Sequence, residues 1–92
     1  MITLHIEHPI SDLPTWQAAF ERFADQRRRG GVSGERISHP VGDDRYVLID
    51  LEFPTRSQAE EFLGFLETRV WSSRDTSPGL AGTPRTRILE PV

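Results

Sequence analysis

Tyr46-Val47-Leu48-Ile49-Asp50-Leu51-Glu52-Phe53 is the stretch on which the fold turns. Val47, Ile49, Leu51 and Phe53 fall on one face and Tyr46, Leu48, Asp50 and Glu52 on the other, the period-two pattern of a strand with one side buried. Upstream, Pro40-Val41-Gly42-Asp43-Asp44 supplies turn chemistry and Val32 to His39 reads extended, so 32–39 and 45–53 are predicted to form a hairpin. Downstream, Thr55 with Gln58 three residues on predicts a capping box. The helix it opens carries Ala59, Phe62, Leu63, Leu66 and Val70 on one stripe.

Working outward, Met1 to Glu7 alternates in the same way, with Ile2, Leu4 and Ile6 opposite Thr3, His5 and Glu7, and Pro9 ends the strand. Ser11 or Asp12 is placed to cap a helix starting near Leu13-Pro14. Trp16, Ala19, Phe20, Phe23 and Arg27 form its stripe, and Gly30-Gly31 stop it. Ser72 to Pro84 is rich in small and turn residues and reads as a loop, and Arg85 to Glu90 as a last short strand. The order β-α-β-β-α-β is the ferredoxin-like arrangement. Right-handed crossovers then give one α+β domain over residues 1–92, with a four-stranded antiparallel sheet ordered 4-1-3-2 and both helices on one face.

Composition narrows the function. The 92 residues contain no cysteine, which removes thiolate chemistry and disulfide scaffolds. No apolar run approaches the roughly 18 residues of a membrane helix, and Met1 to Glu7 lacks a basic leader, so the expected location is the cytoplasm. A formal charge of -3 gives no electrostatic reason to expect nucleic acid or an anionic membrane as partner. Asp50 and Glu52 stand where an RNA-recognition module would need basic and stacking residues.

Two helices leave one sheet face bare. That face carries Thr3, His5, Glu7, Tyr46, Leu48, Asp50 and Glu52, a mixture that suits solvent or a second copy packed about a twofold axis. In the second case Tyr46 and Leu48 become interface anchors.

In length, in element order, in Trp16-Gln17-Ala18-Ala19-Phe20 and in Tyr46 to Phe53 leading into Ala59-Glu60-Glu61-Phe62-Leu63, the chain resembles the dimeric α+β barrel superfamily. That superfamily includes antibiotic-biosynthesis-type monooxygenases and muconolactone isomerase-like and cyclase-like proteins. The resemblance implies sheet-to-sheet homodimers, ligands held between sheet and helices, and cofactor-independent oxygenation, isomerisation or cyclisation of an aromatic or polyketide-like molecule. The monooxygenase and haem-degrading branches place an Asn on the first strand, and this chain has none there. The competing expectation is a non-catalytic protein that binds a small apolar ligand or a partner.

Candidate site residues follow from direction. The first and second strands run the same way, so His8, His39 and the turn before Arg45 meet at one end of the sheet, to which the second helix delivers Arg69 and Trp71. Histidine exchanges protons near neutrality, arginine holds an enolate or carboxylate, and tryptophan stacks on flat ligands. His8 or His39 is thus the expected base, Arg45 or Arg69 the enolate partner, and Trp71 the stacking surface, with no cofactor or metal required. Trp16, Phe20, Phe23, Phe62 and Leu66 would line an apolar cavity or simply fill the core. The plainer alternative has both histidines on the surface at strand ends and Trp71 plugging the core. His5 and His8 differ in parity and cannot share a metal from one strand face, and His5 is expected to bond carboxylates across strands. Phe65, off the stripe, is expected at a dimer contact or under the loop. Arg27-Arg28-Arg29 suit a helix C-terminus.

Overall fold

The computed structural model describes residues 1–92. Its elements run β1 (Ile2–Pro9), α1 (Leu13–Arg22), α2 (Ala24–Arg29), β2 (Gly34–Ser38), β3 (Tyr46–Phe53), α3 (Arg56–Phe65), a π-helical turn (Leu66–Val70) and β4 (Arg85–Leu89). The sheet is ordered β2-β3-β1-β4, with every neighbouring pair antiparallel. This is the ferredoxin-like α+β topology expected from the order of elements. No helix is long and apolar enough to cross a membrane.

The core is the helix-covered face of the two central strands. Leu4, Ile6, Val47, Ile49, Leu51 and Phe53 are sealed there against Trp16, Ala59 and Phe62. Each such side chain contributes roughly 1.5–3 kcal/mol on burial. Parity carries the face one step past the expected end of the strand. β1 continues through His8 and Pro9, pairing them with Val47 and Tyr46, so His8 lies on the core side and is buried. The surface reading of His8 is thereby corrected.

The first helix is not continuous. At Phe23, with φ -103° and ψ 16°, the chain tightens and the Phe23 N–H donates to the Phe20 carbonyl at 3.2 Å. The Arg27 guanidinium also donates to that carbonyl, at 2.6 Å. A side chain that the helical repeat places on the apolar stripe, four residues after Phe23, therefore holds the break together. Asp12 caps α1 by accepting from the Thr15 N–H at 2.9 Å. Thr55 caps α3 by accepting from the Gln58 N–H at 3.3 Å. The capping box is half formed, because the Thr55 hydroxyl donates to Gln58 Oε1 instead of the Gln58 side chain reaching back to the Thr55 N–H. Phe65 packs against Phe23 and Phe62 at the core margin, which corrects its assignment to an interface or the loop.

The loop from 71 to 84 is pinned to the sheet and to α1. Leu80 forms an isolated antiparallel bridge with Ile10, and the Ser11 N–H donates to the Gly79 carbonyl at 2.9 Å. Gly79 sits against the helix so closely that a Cβ there would lie 2.7 Å from Trp16 Cα and 2.9 Å from its nitrogen. Backbone cannot yield as a flexible side chain would. Gly79→Ala is expected to lift the loop and cost about 1–3 kcal/mol, read as a lower denaturant midpoint with increased exposure of Trp16 and Trp71 fluorescence.

Candidate functional site

Between the helices and the sheet lies a hollow of about 60 Å³, walled by Ile6, His8, Trp16, Phe20, Phe62 and Trp71 among others. Phe23, Arg27, Leu66 and Val70 complete its inner end, and Thr76, Ser77, Gly79 and Leu80 of the loop close it. His8 and Arg27 are its only ionisable lining groups.

His8 is a neutral base by its surroundings. Burial pushes its pKa below the ordinary 6.5, against a smaller opposing effect from the Pro9 carbonyl. Its Nδ1 lies 3.0 Å from that carbonyl oxygen, which can only accept, so Nδ1 carries the proton. Nε2 is then the imine nitrogen with a free lone pair. It has no protein partner and is not sealed off. The Trp16 ring stands edge-on to the imidazole at 6.3 Å.

Arg27 supplies the opposite chemistry. Its side chain is buried, with Nε donating to Glu35 Oε2 at 2.9 Å and the guanidinium carbon 3.7 Å from the centroid of the Phe20 ring. Glu35 faces the helices because β2 pairs it with Leu51. Phe20 in turn stacks on Trp16 at 4.9 Å. A row of π surfaces thus connects the proton acceptor to the cation along one wall.

Of the residues expected from sequence, the structure brings His8, Trp16 and Trp71 to this hollow. It does not bring His39, Arg45 or Arg69 there; all three are exposed. His39 lines a separate surface groove beside α1, with Nδ1 2.9 Å from the Pro40 carbonyl. Arg45 accompanies the turn, where its N–H donates to Asp43 Oδ1 at 3.0 Å. Arg27 was the residue to find, and its signal was its position four residues after Phe23 on an otherwise apolar stripe.

The bare face is organised too. β1, β3 and β4 present Thr3, His5, Glu7, Tyr46, Leu48, Asp50, Arg85, Arg87 and Leu89 together. His5 Nδ1 lies 2.6 Å from Asp50 Oδ1 and Nε2 2.8 Å from Glu7 Oε2, while the Tyr46 hydroxyl donates to Glu7 Oε1 at 2.7 Å. With a carboxylate at each ring nitrogen, the imidazolium is favoured, and Glu7 and then Asp50 raise the His5 pKa above 6.5. Tyr46 and His5 in turn hold the Glu7 carboxyl below its usual range. A proton NMR titration is expected to show one imidazole with a midpoint above 6.5 (His5) and one below it (His8). The His5 contribution to stability is full below pH 6.5 and fades as pH rises through its folded midpoint. That of His8 runs the other way, and is lost as pH falls below 6.5 toward its depressed midpoint.

No family model matches the chain, and no curated protein matches it in sequence. Solved structures do match over nearly all of it. An antibiotic biosynthesis monooxygenase superposes with a TM-score of 0.70 at 9% identity, covering 100% of this chain and 99% of that one. A dimeric ferredoxin-like protein from an uncultured marine organism gives 0.63 at 13% identity, covering 96% and 94%. A Streptomyces coelicolor monooxygenase in complex with nanaomycin D gives 0.63 at 18% identity, covering 99% and 87%. This chain shares their fold. At such identities the likeness is one of backbone course alone.

Proposed function

We propose that the chain is a homodimeric, cofactor-independent enzyme that oxygenates a flat aromatic or polyketide-like molecule with an acidic C–H or phenol. The observation that carries this reading is the unpartnered Nε2 of a neutral His8 in a hollow walled mainly by apolar side chains. Burial keeps this nitrogen unprotonated at neutral pH, so its lone pair is free to accept a proton from a ligand held beside it. Arg27, at the other end of the aromatic row, stabilises the enolate or phenolate so formed. An electron-rich enolate can reduce dioxygen directly; one oxygen atom stays on the carbon as a carbonyl and the other leaves as water. Two features support a dimer through the bare face: its acidic and basic side chains alternate and nearly balance, and a dimeric ferredoxin-like protein is among the structural neighbours.

A second reading, a ligand-binding protein without turnover, is favoured by the small volume of the hollow, about 60 Å³. The test is oxygen uptake with anthrone, whose CH₂ is acidified by the flanking ketone and rings. Uptake that saturates with anthrone and disappears in His8→Gln supports the enzyme. Saturable binding with no uptake supports the binding protein.

A further inference from the structure

The hollow and the surface groove share a wall. Trp16 and Phe20 line both, the groove being a trough of about 390 Å³ between α1 and β2. It exists because no helix packs closely on the edge strand. Ile37 pairs with Ile49 and so faces the helix side, yet 39% of its surface is exposed. Leu13, Ile37 and Val47 form an apolar floor, with Gln17, Glu21 and His39 around it.

We infer that the hollow and the groove are two ends of one elongated site partitioned by Phe20, so that a ligand with a ring beside His8 carries its remainder over the Ile37 floor of the groove. This rests on the ligand-binding role proposed for the hollow. The reacting ring lies beside His8, and that remainder lies next to His39. Two arguments lead there. A space of about 60 Å³ admits no aromatic ring until a wall moves. Of the two shared walls Trp16 is buried and fixed by Gly79 against its backbone, whereas Phe20 is only half-buried. Turning Phe20 joins the spaces, and their combined volume falls within the roughly 300–1,000 Å³ typical of small-molecule pockets. The same turn takes the ring off the Arg27 guanidinium, leaving that cation to the incoming ligand.

The experiment is a calorimetric titration of phenol and of 2-naphthol into the full chain. Wild type is expected to bind 2-naphthol at least about tenfold more tightly, the value of one added ring in an apolar site. Ile37→Asp should reduce that ratio to about twofold, and Ile37→Thr, which keeps the branched β-carbon the strand favours, should reduce it part of the way. Phe20→Ala should tighten 2-naphthol. A ratio unchanged in both Ile37 variants, with phenol still bound, overturns the joined site and leaves the hollow's role standing. If neither compound binds to wild type or to Phe20→Ala, both readings fall.

Discussion

Leu48→Asp is expected to convert a particle of twice 10.5 kDa into one of 10.5 kDa. Leu48 sits near the middle of the bare face, opposite Glu7 on β1 and Ser38 on β2. In the proposed dimer a carboxylate there would enter the interface in both protomers, next to Glu7 on the neighbouring strand. An uncompensated charge at a buried contact costs about 3–5 kcal/mol, and the twofold axis counts it twice. Dimer dissociation should therefore rise by at least about a hundredfold, which light scattering at micromolar concentrations detects. The fold should survive, because Leu48 points away from the core. A wild-type chain that scatters as 10.5 kDa at high concentration removes the dimer altogether.

His8→Gln is expected to lower kcat by about 10²–10⁴ in the oxygen-uptake assay while KM changes little. Glutamine fills much of the same volume, so the aromatic wall persists. Its amide has no basicity to offer, so the proton has nowhere to go. A second readout separates a base from a spacer. If His8 takes the proton, the acid limb of kcat/KM follows its depressed pKa and has a midpoint below 6.5. A spacer would leave that limb unmoved. An acid limb above 6.5 would point to His5, whose pKa is raised, and would move the chemistry to the bare face.

The strand order, the parity of His5 and His8 and the carboxylate partnership of His5 are all legible in the sequence, because period-two alternation and neighbouring registers determine them. The break at Phe23 is not. Residues 13 to 29 have an unbroken helical stripe, and the interruption is set by tertiary contacts, the Arg27 guanidinium on the Phe20 carbonyl above all. The candidate site divides along the same line. His8 and Trp16 reach the hollow by facing rules that a sequence reveals. Arg45 and Arg69 stand near the right end of the sheet, but the direction of a strand or helix says nothing about which way a side chain leaves it. Arg27 was visible on the stripe, yet helix-dipole reasoning explained it sufficiently to hide its burial. Enclosed volume has no counterpart in the sequence.

The π-helical turn at Leu66–Val70 has a consequence for how this family of shapes can vary. There the Trp71 N–H reaches the Leu66 carbonyl at 2.7 Å, spanning five residues where an α-helix spans four. The turn amounts to one surplus residue, accommodated without disturbing what precedes it. Deleting a single codon in this segment would let regular winding resume with the indole in nearly the same direction, because the bond from Trp71 to Leu66 would then close an ordinary four-residue turn in place of a five-residue one. The segment can thus gain or lose one residue in a single genetic step while the roof of the cavity and the strands beneath keep their places.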